Sequence, residues 1–216
     1  MRTREYFGFD LDVDTKQLEG NFPPEWRDSA LDALAAALLA GETVHPAQGT
    51  LRRAAEKLDE YWRRSGGTLS AIAPAQLQRI LRGELEAEGV KSWETFIRAG
   101  LALDVAALVD ARTREQLDAL PSSVRIKGDV VPLTYEIHNG QPAVRLTLRE
   151  GQARRVRPGD LPTTDRRLLF AVRRGNHPPL LAESLEQLRE GMDRRRKVEQ
   201  TDRRTAGRGG HRRRRR

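Results

Sequence analysis

Between residues 124 and 148 apolar residues occupy every second position in three consecutive runs. Val124 and Ile126 form the first, Val131, Leu133, Tyr135 and Ile137 the second, and Val144, Leu146 and Leu148 the third. A period of two assigns these to one face of a sheet, with Arg125, Lys127, Thr134, Glu136, Arg145, Thr147 and Arg149 on the other. Gly128-Asp129 and Asn139-Gly140 separate the runs, and Asn-Gly between alternating segments is a strong hairpin signal. A fourth run, Arg166 to Arg174, follows a loop that holds Gly159 and two prolines.

Upstream the period changes to that of helices. Pro23-Pro24 sets up a helix from near Trp26 to Ala40, stopped by Gly41. Thr50 is positioned to cap a second helix, with Leu51, Ala54, Ala55, Leu58, Tyr61 and Trp62 on one face and Gly66-Gly67 at its end. A third begins near Pro74 and aligns Leu77, Ile80, Leu81 and Leu85 before Gly89. Ser92 caps a short fourth one, and Asp104 opens a last helical piece that restarts at the box-like "TREQ".

The domain reading follows from these periods. Residues 1–21 form a strand or strap, 22–120 a helical bundle, 121–181 a small β-domain and 182–197 a terminal helix. Residues 198–216 offer nothing to bury and read as a disordered arginine-rich tail. The fold class is α+β. Four or five short strands with one flanking helix match a small antiparallel β-barrel of the OB type, with an SH3-like barrel as the alternative.

The chain has 216 residues and no cysteine, which excludes disulfides and thiolate sites and suits a reducing, cytoplasmic setting. No apolar run approaches the length of a membrane span, and no secretory signal is visible at the N-terminus. The net charge of +8 is unevenly spread. Residues 1–120 carry −5, residues 121–181 carry +6, residues 182–193 carry −3, and residues 194–216 carry +10. An acidic front, a basic β-region and a very basic tail say more about partners than the total does. Arginine outnumbers lysine 34 to 5, which favours bidentate phosphate contact but equally fits the codon usage of a GC-rich genome.

Catalytic signatures are missing from the sequence. There is no phosphate-cradling Gly-rich motif ending in Lys-Ser or Lys-Thr, and His45, His138, His177 and His211 show no metal-ligand spacing. The expectation is a chain with no activity of its own, no cofactor and no metal.

The basic residues of the β-region fall into three groups. Arg125, Lys127, Arg145 and Arg149 lie on the wet face of the sheet. Arg154, Arg155 and Arg157 follow the third strand. Arg166, Arg167, Arg173 and Arg174 bracket the fourth. Together they are candidates to line a groove that tracks the phosphates of RNA or single-stranded DNA. Antiparallel sheets have one solvated face in any case, and arginine is an ordinary filler for it. Tyr135 and Phe170, the aromatic residues of the region, occupy inward positions and offer little for base stacking.

The segment "LDALPSSVRIKGDVVPLTYEIHNGQPAVRLTLREG" resembles the start of the C-terminal accessory domain of bacterial DEAH-box ATP-dependent RNA helicases. Leu117, Asp118, Pro121, Pro132, Leu133, Tyr135, Pro142, Val144, Arg145 and Leu146 stand in places comparable to the family pattern. The continuation from Arg166 to Lys197 is similar to that family's strand, proline-containing turn and terminal helix. The similarity spans roughly 80 residues and includes no catalytic residue. The two motor domains have no counterpart here, with neither a Walker A motif nor a DEAH box, and the family's Trp-rich terminal segment is absent. The resemblance implies an auxiliary module that covers the nucleic-acid channel and helps hold a single strand, with ATPase activity on a separate motor subunit or another part of the protein. The competing class is an interaction module that docks a partner protein and touches nucleic acid only through its tail.

Overall fold

The computed structural model describes residues 2–6, 9–14, 20–173 and 178–209, with 2–6, 9–14 and 199–209 described in backbone alone. They divide into two compact units. The first comprises residues 1–59 and 70–110, and the second residues 60–69 and 111–216. The boundary thus falls at 110 rather than 120, and the loop around Gly66-Gly67 belongs with the sheet.

The first unit opens with an antiparallel pair, β1 (Arg2–Tyr6) and β2 (Phe9–Asp14). The helices α1 (Arg27–Ala40), α2 (Gln48–Arg64), α3 (Pro74–Ala87), α4 (Trp93–Arg98) and α5 (Val105–Leu108) follow, α2 giving its last turn to the second unit. Each boundary has a local cause. Gly41 takes the left-handed conformation after α1, and Pro74 sits at the first turn of α3. Ser92 and Thr95 form a reciprocal capping box on α4, and the Asp104 carboxylate accepts from the Ala106 and Ala107 N–H groups of α5. Helix α2 starts at Gln48, so Thr50 lies inside its first turn instead of capping it. Leu31, Ala35, Leu38, Leu51, Leu58, Leu81, Leu85 and Phe96 are buried. Arg82 of α3 reaches Asp28 (2.8 Å) and Asp32 (3.1 Å) of α1 across the exposed side of the helix pair. His45 is buried, with Nε2 3.0 Å from the Phe96 carbonyl and Nδ1 accepting from the Ala47 N–H.

The second unit is built on one five-stranded sheet. Helix α6 (Ala111–Asp118) leads into β3 (Ser123–Ile126), β4 (Asp129–His138) and β5 (Gln141–Arg149). Helix α7 (Glu150–Arg155) and a 3-10 turn then carry the chain to β6 (Arg167–Arg173) and β7 (Leu180–Ala182), and α8 (Leu185–Gly209) closes the unit. The two hairpin turns are Lys127-Gly128 and Asn139-Gly140, all four residues having positive φ, as a two-residue turn matched to strand twist requires. Lys127 is therefore a turn residue and not part of the wet face.

The expected closed antiparallel barrel does not form. Strand order is β3-β4-β5-β6-β7, and β6 runs parallel to β5. A parallel return needs a long crossover, here residues 150–166, which the sequence reading treats as loop but which contains α7. The edge strands β3 and β7 do not pair with each other, so the sheet stays open, and α7 and α8 cover one face instead. On that face Ile126, Val131, Leu146, Leu148, Phe170 and Val172 pack with Ala153 and Val156 and with Leu185, Leu188 and Met192 of α8. A Cβ on Gly191 would lie 2.9 Å from Leu180, so α8 approaches β7 closely where it has no side chain. The helix continues to Gly209, past the residue 197 boundary expected from the sequence; residues 210–216 of the expected tail lie outside the described residues.

The end of α2 is locked onto the sheet by arginine. The buried Arg64 donates through Nη1 to the Leu117 (2.8 Å) and Leu120 (3.1 Å) carbonyls and pairs with Glu60 (2.8 Å). Its guanidinium and that of Arg166 lie 5.3 and 4.9 Å from the Tyr135 ring centroid. Arg166 also donates to the Arg63 and Arg64 carbonyls at the C-terminal end of α2. Arg64→Ala removes a charged donor from the buried Leu117 and half-buried Leu120 carbonyls and is expected to lower unfolding free energy by about 1.5–3 kcal/mol. Gly66 (φ +71) and Gly140 (φ +74) share the same backbone strain on substitution, but only at Gly66 would a Cβ meet Pro142, at 2.8 Å. Urea denaturation should show Gly66→Ala costing more than the roughly 1–2 kcal/mol of Gly140→Ala; equal losses would contradict the packing of this loop on β5.

Candidate nucleic-acid interface

Ten of the eleven predicted basic residues are described, and the structure does not bring them to one surface. Arg174 lies outside the described residues. Arg145 is mostly buried: Nε and Nη2 bind Glu136 at 2.9 and 2.6 Å, and Nη1 donates to the Phe170 carbonyl. Arg166 is committed to Tyr135 and the end of α2. Lys127 bridges to Asp160 and the Arg155 carbonyl, both at 3.0 Å. The Asp160 carboxyl is held below its ordinary range, first by the Arg157 backbone N–H and then by Lys127.

Arg167 pairs with Glu183 at 2.6 Å, and Glu183 also meets His138 at 3.0 Å. The hydrogen bond from His138, with the Arg167 charge, keeps the Glu183 carboxyl below its usual value. Arg154 binds Glu150 and Asp193, and the hydrogen bond to Glu150 raises its already high pKa further. Arg155 is exposed, donating to the Gly151 carbonyl and lying 3.7 Å from Asp129. Arg157 is exposed after α7, and Arg125 is exposed on the edge strand β3 without an ion pair among the described residues.

Arg149 and Arg173 stand apart from the rest. They are register partners at the C-terminal ends of the parallel strands β5 and β6, are exposed, and have no acidic partner among the described residues. Two like charges on adjacent strands, about 4.8 Å apart along the hydrogen-bonding direction, repel unless an anion lies between them. Helix α8 carries further arginines past the same end of the sheet, on the face opposite to Arg149 and Arg173. Arg195 lines a small cleft with Glu150, Val172, Leu180 and Met192, next to Arg149 and Arg173 in the chain, and donates to the Pro178 carbonyl at 3.2 Å. Arg194 and Arg196 flank it, exposed and unpaired among the described residues.

The sequence reading missed this contribution because it places residues beyond the last buried position, Met192, in the terminal helix and tail without a fixed neighbour. Burial of Leu188 and Met192 against the sheet sets the helix end beside the strand ends, where Arg154 also meets Asp193. Among the described residues no group of acidic or histidine side chains is placed to hold a metal ion, and no helix is long and apolar enough to cross a membrane.

The two classes of arginine separate experimentally. Arg145→Ala leaves Glu136 half-buried and unpaired and should lower unfolding free energy by about 1–3 kcal/mol in chemical denaturation. Arg149→Ala should change it by less than about 0.5 kcal/mol or raise it slightly by relieving repulsion. A neutral Arg145→Ala would remove the distinction between committed and uncommitted cations. No family model, no curated protein and no solved structure matches the chain.

Proposed function

We propose that this chain is a non-catalytic module that holds the backbone of single-stranded RNA or DNA for a DEAH-type ATP-dependent helicase motor carried elsewhere. The observation that supports it best is the register pair Arg149 and Arg173, exposed cations at one end of the sheet with no acidic partner among the described residues, with Arg194 and Arg196 likewise exposed on α8. Uncompensated guanidinium groups held on strand ends and a helix meet the requirement for phosphate contact, which is charge at fixed spacing without base readout. The resemblance of residues 117–151 to the helicase accessory region supplies the motor part of the reading.

A second reading, an adaptor that docks a protein, draws on the first unit. Val44 is 82% exposed and Trp93 40% exposed, and both adjoin the buried His45–Phe96 contact. Apolar groups left in water beside a rigid contact favour a protein partner.

The arginine-rich end would bind any polyanion, so the test uses a chain ending at Lys197, beyond the last core residue of α8. Arg149, Arg173, Arg194 and Arg196 changed together to Ala should weaken single-strand binding and flatten its salt dependence by roughly three units, each phosphate contact contributing about 0.7–0.9. Unchanged affinity and slope in that background would hand the function to the adaptor reading. Purified full-length protein is expected to hydrolyse no ATP above a denatured control, with or without RNA; turnover would remove the word non-catalytic.

A further inference from the structure

The covered face of the sheet is not covered throughout. Helix α8 packs over the C-terminal halves of β5 and β6, while over their N-terminal halves lies a cavity of about 410 Å³. Its floor is Val124, Leu133, Val144 and Leu168, with Tyr135 beside them, and its rim is Ser123 and the segment from Thr163 to Arg166. A volume in the range of about 300–1,000 Å³, with an apolar floor and a few polar groups, is the ordinary form of a small-ligand site.

The polar groups of the wall decide which ligand fits. Arg166 directs its terminal nitrogens to the Arg63 and Arg64 carbonyls. Tyr135 donates its proton to the Pro121 carbonyl at 2.9 Å, and burial pushes its phenol pKa up, so the hydroxyl stays neutral with its lone pairs unspent. Thr164 accepts from the Arg166 N–H and donates weakly to Asp165. Asp165 is 92% exposed, with Arg166 Nε 4.0 Å away, and its carboxylate accepts only. The hydroxyls of Ser123 and Thr163 make no hydrogen bond among the described residues. The wall therefore offers an anionic acceptor next to hydroxyls able to donate, above an apolar floor.

We propose that this cavity binds a neutral planar heterocycle whose edge carries an exocyclic amine beside a ring nitrogen, the edge of adenine or cytosine. The amine donates to Asp165, a hydroxyl of Ser123 or Thr163 donates to the ring nitrogen, and the ring lies on Leu133, Val144 and Leu168. The source is either a free nucleoside or a base of a bound strand. The inference does not depend on the backbone-binding cluster, which lies at the opposite ends of β5 and β6.

The test titrates the full-length protein by calorimetry with adenosine and with inosine, which places a carbonyl where adenosine has its amine. A second arm uses a short oligoadenylate and its hypoxanthine counterpart at high salt, where phosphate contacts are weakened. Adenosine or the oligoadenylate is expected to bind about two- to fivefold more tightly than its hypoxanthine match, the discrimination open to an exposed charged contact. Asp165→Asn, an exposed change that leaves the floor intact, should erase or invert that preference, and Leu168→Trp should abolish binding by filling the cavity. Preference in the nucleoside arm assigns a free ligand; preference confined to the oligonucleotide arm assigns a strand base. No binding in either arm by folded protein, or a preference that Asp165→Asn leaves unchanged, overturns the proposal. An unchanged salt slope in the variant lacking those arginines, with the adenosine preference retained, would count against the backbone reading alone.

Discussion

Parallel pairing of β5 with β6 is the constraint on which the second unit depends. Its register, Ala143 with Arg167 through Arg149 with Arg173, aligns Val144 with Leu168, Leu146 with Phe170 and Leu148 with Val172. That single alignment places the cavity floor at one end of the strand pair, the core under α8 in the middle and two arginines side by side at the other end. It also demands a crossover, and the crossover delivers Ala153 and Val156 to the core. A register slip of one residue would turn Phe170 and Val172 out of the core and bring Arg173 in, so burial itself fixes where the basic ends meet.

Much of this was legible in the residues. The alternation from Val124 to Leu148 gives the strands, and their buried face is the face the period assigns. Gly41, Pro74, Ser92 and Asp104 mark helix ends by chemistry that acts within a few residues. The direction of β6 was not legible, because an alternating or wholly apolar strand looks the same in either direction. Leu169 and Ala171 are buried as well as Phe170 and Val172, the signature of a central strand, yet "RRLLFAVRR" reads equally as a strand of an antiparallel barrel. Helix α7 escaped notice because "EGQARRVRPGD" is short and polar, with Ala153 its one buried residue.

The basic candidates show why charge counted along a strand is a weak guide to a surface. Arg145 and Arg149 are equivalent by period, but Glu136 stands one same-face step from Arg145 and takes it, whereas no acidic side chain among the described residues pairs with Arg149. A guanidinium has five donors and a half-buried one must satisfy them, so arginines near carboxylates and free carbonyls become structural. Arg64 and Arg166 follow the same rule at the end of α2. What remains for a partner is whatever the fold leaves unmatched, and that is a property of tertiary neighbours.

Tyr135 carries this argument one step further. Its ring belongs to the buried set by period and its hydroxyl is bonded to Pro121, yet it stands at the boundary where α8 no longer covers the sheet. The guanidinium groups of Arg64 and Arg166 supply the neighbours that a second covering helix would otherwise provide, and they do so from one side, leaving the floor beside the ring uncovered. A fully apolar cap would have filled that volume with side chains. An arginine cap has to keep its donors on carbonyl groups, and its planar ends cannot spread over Leu133, Val144 and Leu168. The cavity thus adjoins the place where the end of α2 is held by arginine hydrogen bonds as well as by packing on Pro142 and Ile137.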